Sequence, residues 1–240
     1  MSIPAALDHL VLAVPDLAAG VHDFTARTGI VPTYGGAHEG RGTANYLVGL
    51  DPTGTAAEAP STPDGTAAGT DAGAEDRPLM YLEIIGPDLE QDVPEGAPLA
   101  FGLEAITEPT LVTWAVHPAG FDDRVADART AGVDFGVVND MSRRTPAGDL
   151  LEWRLTQRLP LPQEGVQPFL IDWQDSVHPA LGEIGRMGLD VFEVRTPVIE
   201  STTKALEVLG AADTTVVDAD AFALRATLSG PAGSIGFGGE

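Results

Sequence analysis

The sequence predicts an α+β protein dominated by strands. It reads as a strand–helix–strand–strand–strand module, a second such module, and a shorter strand–helix–strand–strand unit. Three observations carry this. Apolar stripes at helical spacing follow Asp16, Pro118 and Pro197, each directly after a buried-looking strand. The element order along 7–88 returns along 111–173, an internal repeat of roughly 90 residues that weighs more than any single motif. In each copy an acid stands inside the apolar run that reads as the fourth strand, Glu83 in the first and Asp172 in the second. The expected units are residues 1–105, 106–180 and 181–240.

The first strand, Leu7 to Val14, is a continuous apolar run stopped by Pro15-Asp16. Alternation puts Leu7, His9, Val11 and Ala13 on one face and Leu10, Leu12 and Val14 on the other. His9 has two readings on this strand alone: a metal-ligating imidazole, or a core histidine satisfied by a neighbouring carbonyl. Asp16 suits a helix N-cap, Leu17, Val21 and Phe24 make the stripe, and Gly29 closes it. A short strand is expected over Ile30–Tyr34, a glycine-rich turn over Gly35–Asn45, and a strand over Tyr46–Leu50. The turn lacks the Lys-Ser/Thr ending of a phosphate loop. Residues 53–76 contain no large apolar side chain, so they read as a mobile low-complexity insert within the first unit. Leu79–Asp88 is the fourth strand, in which Glu83 is costly unless paired or coordinating a cation.

The second copy runs through the strand Leu111–Val116, a helix on Phe121, Val125 and Ala128 closed by Gly132, and strands over Val133–Val138, Leu150–Thr156 and Phe169–Trp173. In the third unit a strand at Gly188–Val194 precedes a helix on Ile199, Thr202, Leu206 and Leu209, ended by Gly210. Thr214–Val217 and Phe222–Leu228 read as a closing hairpin. This unit shows no buried acid and is expected to be structural.

At 240 residues the chain can bury a core without cross-links, and it has no cysteine, so disulfides and thiolate metal sites are excluded. Thirteen basic against 36 acidic residues give a net charge of −23, which disfavours nucleic acid and anionic membranes as partners. The same charge repels polyanionic substrates unless an arginine focuses them locally. No apolar run reaches the ~18 residues of a membrane span, and the N-terminus lacks a basic region followed by an apolar core, so a soluble cytoplasmic protein is expected.

Four segments in order resemble one family: Leu7-Asp8-His9-Leu10-Val11-Leu12-Ala13-Val14; His38 with Gly42, Thr43, Asn45 and Leu47; Tyr81-Leu82-Glu83-Ile84-Ile85-Gly86-Pro87-Asp88; and Trp153-Arg154-Leu155. With the β-α-β-β-β repeat, the chain resembles the vicinal oxygen chelate superfamily and, more narrowly, is similar to glyoxalase-like domain proteins. The resemblance implies that two modules pair into a half-open barrel around a divalent metal. Its ligands come from the first and fourth strands of both modules, and it grips two vicinal oxygens of a substrate. Carried over, His9 and Glu83 take two ligand positions and Asp172 a third by the repeat. The fourth has no convincing ligand: Leu111 or Thr113 stands there, with His117 and His178 in nearby turns.

Such a centre would suit Mg²⁺, Mn²⁺, Fe²⁺ or Zn²⁺ and would polarise a carbonyl or stabilise an enediolate, with a freed carboxylate, Glu83 or Asp172, as base. Arg154 is a candidate for a substrate carboxylate, or else a surface ion-pair partner. His38, Thr43 and Asn45 line the cavity mouth or satisfy their own turn. Trp114, Trp153 and Trp173 read as core or module contacts. The implied function is a divalent-metal-dependent enzyme of lyase, isomerase or dioxygenase type, acting on a small oxygenated organic molecule. The alternative is a non-catalytic protein that binds or sequesters a small molecule, with His9 bonded to Glu83 or Asp172. Modules of this kind pair within or between chains, so a homodimer is a second arrangement open to it.

Overall fold

The computed structural model describes residues 3–52, 79–92, 94, 96, 98–145 and 148–238; the insert expected over 53–76 lies outside them. Among the described residues, twelve strands and three α-helices follow one another in the order β1 (Leu7–Ala13), α1 (Leu17–Thr28), β2 (Thr33–His38), β3 (Thr43–Pro52), β4 (Met80–Pro87), β5 (Thr110–Val116), α2 (Phe121–Ala131), β6 (Val137–Arg144), β7 (Leu150–Gln157), β8 (Phe169–Asp172), β9 (Arg186–Thr196), α3 (Ile199–Leu209), β10 (Val216–Asp218), β11 (Ala223–Gly230) and β12 (Gly233–Phe237). The helix signals act as read. Asp16 caps α1 by accepting from the Ala19 amide at 2.9 Å, and Gly29 ends it in the left-handed conformation at φ 73°.

The strands form one mixed sheet in the order β12-β11-β9-β3-β4-β1-β5-β8-β7-β6. The two strands at its centre, β1 and β5, are antiparallel to each other, and each pairs in parallel with the last strand of its own set, β4 or β8. Along one edge of β3, β2 pairs with Thr43–Leu47 and β9 with Gly49–Pro52. The sheet curls without closing: β6 reaches back towards β2, joined to it through the Arg143 guanidinium on the Gly35 carbonyl. This is the expected half-open architecture.

One face of the sheet packs on all three helices. Phe24, Phe121, Val125, Leu206 and Leu209 join Leu10, Leu12, Ile84, Trp114 and Phe192 in a continuous core. The other face curls around a cavity. Two expectations fail on register. Leu7 belongs to the helix-side core with Leu10 and Leu12, not to the face of His9, because β1 carries a bulge between Leu7 and His9 that shifts the alternation by one. The closing hairpin is β11–β12, whereas β10 pairs in parallel with β9. The third unit does bury an acid, Glu193, which lies 3.5 Å from Arg225 and 3.9 Å from Arg195.

Candidate functional site

The bulge in β1 decides the site. An extra residue in one strand of an antiparallel pair lets two sequence neighbours point to the same side. Here those neighbours are Asp8 and His9, both buried. Asp8 accepts from three side chains: His9 Nδ1 at 2.6 Å, Trp173 Nε1 at 3.0 Å and His178 Nε2 at 3.1 Å. The His178 ring is fixed from its far side, where Nδ1 accepts from the Ala180 amide at 3.1 Å, so its Nε2 carries the proton that Asp8 receives. Burial opposes ionisation of Asp8, but the hydrogen bonds from His178 and His9 outweigh it and hold the carboxyl well below the usual carboxylate range.

That carboxylate orients His9. With Nδ1–H on Asp8, the Nε2 atom faces the cavity, and the ring is locked by stacking on Tyr81 at 4.7 Å and an edge contact with Phe169 at 5.4 Å. Register supplies the stack, because His9 and Tyr81 are direct neighbours across β1 and β4. Two residues further along β4, Glu83 projects into the same cavity, and its Oε2 lies 3.9 Å from His9 Nε2. The other oxygen, Oε1, accepts from Asn45 Nδ2 at 2.6 Å, and His38 Nε2 lies 3.9 Å from it. The His38 ring bonds Thr43 Oγ1 at 2.9 Å through Nδ1, and burial pushes its pKa down, Glu83 opposing. Asn45 needs Gly35 beside it, since a Cβ there would fall on its amide oxygen.

The first four strands thus bring His9, His38, Asn45 and Glu83 together around one cavity. Asp172 and Arg154 are not there. They are direct partners across β7 and β8 on the outward face, where Arg154 binds Asp172 at 2.6 Å and Asp122 at 3.0 Å and lies over the Phe121 ring. Burial works against ionisation of Asp172, and the Arg154 bond is the leading influence that lowers its pKa. The expected third ligand is lost to a one-residue difference in register: β8 turns Ile171, and the following Trp173, into the cavity in place of Asp172.

Three residues at or behind the cavity wall were not singled out from sequence, Asp8, Tyr81 and Arg143; His178, noted only as a nearby turn histidine, stands behind the wall on Asp8. Asp8 had a visible signal, because a carboxylate inside an apolar strand beside a histidine implies either a cost or a bulge. Arg143 had none, since its strand lacks an alternating apolar pattern. The far wall of the cavity is aromatic, with Trp153 and Trp173 rings 5.5 Å apart.

Comparison with known proteins bears on the family and the fold. The sequence model of one family, described as a glyoxalase-like domain, matches residues 7–55 and 61–210. The chain belongs to the glyoxalase-like domain family. The expected kinship with the vicinal oxygen chelate superfamily is borne out. Among solved structures, a hypothetical protein from Staphylococcus aureus matches with a TM-score of 0.55 at 15% identity, over 97% of this chain and 84% of that one. Lower-scoring matches are a variant of Streptomyces coelicolor methylmalonyl-CoA epimerase in complex with 2-nitronate-propionyl-CoA (TM-score 0.44, 22% identity, 70% of this chain, 97% of that) and a mutant of 4-hydroxymandelate synthase from Streptomyces coelicolor (0.41, 16%, 98% and 62%). No curated protein sequence matches.

The glyoxalase-like chain does not offer the metal centre that the resemblance implied. Its second set of strands presents Thr113, Ile171 and Trp173 to the cavity, none of them an imidazole or carboxylate. Glu83 is engaged by the Asn45 amide. Among the described residues, no group of three or more His, Cys, Asp or Glu side chains is placed to hold a metal ion. Among them, too, no helix is long and apolar enough to cross a membrane.

Proposed function

We propose that this glyoxalase-like protein is an enzyme that moves a proton on a small oxygenated organic molecule, with His9 and Glu83 as its acid–base pair. The observation that carries the reading is the facing of His9 Nε2 and Glu83 Oε2 at 3.9 Å on one cavity wall, each held from behind by its own partner. The gap is too wide for a direct hydrogen bond, and a substrate group beside the pair can contact both atoms. In the proposed step the Glu83 carboxylate takes a proton through Oε2 from carbon next to a carbonyl, while an imidazolium at His9 gives one from Nε2 to the carbonyl oxygen, forming an enol. Reversal with the proton returned to a different position gives an isomer or epimer. Asp8, Tyr81 and Phe169 keep the imidazole in place throughout.

The test is solvent-deuterium incorporation into a panel of small carbonyl compounds, followed by NMR in the presence of EDTA. Wild type is expected to exchange at least one of them, and Glu83→Gln and His9→Gln are each expected to lose about a hundredfold or more in rate. Exchange that disappears in EDTA and returns with Mn²⁺ would refute the metal-free scheme. The aromatic wall of Trp153, Trp173 and Phe169 favours a second reading, a protein that binds its ligand without turnover. Saturable binding with no exchange in any compound would select it.

A further inference from the structure

One charged feature of the cavity is not used by the proton transfer. Arg143 on β6 lines the cavity and is only 5% exposed. Its guanidinium donates to the Gly35 carbonyl, and among the described residues no carboxylate lies within ion-pair distance of it. By contrast, Arg154 is tied to Asp172 and Asp122, Arg158 to Asp134, and Arg186 to Asp51, and all three are more exposed than Arg143. The Gly35 carbonyl engages only part of a guanidinium that has five N–H groups, and the side chain lines the cavity. In a chain with 36 acidic residues and 13 basic ones, a buried guanidinium left without a carboxylate is costly and specific.

We propose that Arg143 is the anchor for an oxyanion on the ligand, a carboxylate carried by an otherwise apolar small molecule. The planar fork of one guanidinium matches the two oxygens of one carboxylate. A doubly charged group would meet the net charge of −23 with a single buried counter-ion. Tyr81, Trp153, Phe169 and Trp173 line the same cavity and give the apolar body of the ligand its surface. Burial works to lower the Arg143 pKa, while Tyr81 and Glu83 act in the opposite direction; a bound anion adds to that support. The inference rests on the cavity being the ligand site, and the experiment separates the two.

Benzoate, phenylacetate and 3-phenylpropanoate, their methyl esters, phenyl phosphate and inorganic phosphate are titrated into the full chain by calorimetry. At least one acid is expected to bind about ten- to a hundredfold more tightly than its ester, as charge-assisted hydrogen bonds to one guanidinium imply. Arg143→Gln should erase that preference while leaving the affinity for the ester, and Arg143→Lys should retain part of it. Arg143 also ties β6 to β2, so the wild-type acid-to-ester ratio carries the proposal even if Arg143→Gln does not fold. Equal affinities for acids and esters would overturn the oxyanion subsite and leave the cavity as a ligand site. No binding of any probe would overturn both. Tighter binding of phenyl phosphate than of every acid would keep the subsite and make phosphate its ligand.

Discussion

The two walls of the cavity come from strand sets with the same element order, yet their chemistry differs. The β1–β4 side presents His9, Asn45, Tyr81 and Glu83, a hydrogen-bonded polar centre backed by a buried carboxylate. The β5–β8 side presents Thr113, Trp153, Ile171 and Trp173, with Arg143 as its one buried charge among the described residues. Repeating the order of elements therefore does not repeat the site. A bulge in β1 turns Asp8 inward, whereas plain alternation in β8 turns Asp172 outward. One wall does the polar work and the other supplies shape, a division that can be attacked residue by residue.

The largest effect is expected at Asp8. Asp8→Ala leaves the N–H groups of His9, Trp173 and His178 buried without their acceptor, costing about 3–5 kcal/mol in urea denaturation. Asp8 is also predicted to shape the acid limb of stability. Its folded pKa is depressed, so its contribution is complete above the ordinary carboxyl value of about 4 and is lost as pH falls from there towards the folded value. The fall in stability between pH 5 and pH 2 should accordingly be shallower in Asp8→Asn. An unchanged slope would mean that Asp8 is not the group the fold keeps ionised.

Next comes Asn45→Ala, which strands the Glu83 carboxylate and should cost about 1–3 kcal/mol; an effect within ±0.3 kcal/mol would remove Asn45 from the polar wall. His38 should matter over a milder range. Its folded pKa lies below the free value of about 6.5, so its contribution is present above that pH and fades as pH falls below it. His38→Gln should flatten the stability profile between pH 7 and pH 5 without altering it above pH 7. The smallest effect is expected on the outward face, where Asp172→Asn breaks a partly exposed ion pair and should cost no more than about 1 kcal/mol. It should also leave proton exchange at the wild-type rate. A collapse of exchange in Asp172→Asn would return that acid to the site and undo the comparison.

The strongly patterned parts of the fold were legible in the sequence. The buried runs of β1, β4 and β5, and the helices with their caps or closing glycines, all lie where apolar period and termination chemistry put them. What escaped were elements whose side chains do not alternate. Gly35 and Gly36 suggested a turn but sit in β2, where the lack of a Cβ makes room for Asn45 and for the Arg143–Arg144 stretch. The polar strand β6 was placed too early, which left Arg143 unread, and the short β12 was missed. His9 and Glu83 stood out because an odd polar residue in a buried strand is visible from sequence, whereas His38 and Asn45 were read in a turn, lining the cavity mouth or satisfying their own backbone. The faces of Asp8 and Asp172 were not visible, because each depends on a single residue of register that pairing alone fixes.

The hydrogen bond from Trp173 to Asp8 has an optical consequence. Of the three tryptophans, Trp114 is sealed in the helix-side core against Phe192, with its indole on the Val166 carbonyl. Trp153 and Trp173 line the cavity, and the Trp173 indole N–H rests on the carboxylate that orients His9. Emission from this chain therefore contains one silent fluorophore and two that sense the site, one of them wired directly to its buried charge. Occupancy of the cleft and the charge on Asp8 can both be followed in the unlabelled protein, and Trp173→Phe identifies which part of the signal reports the charge.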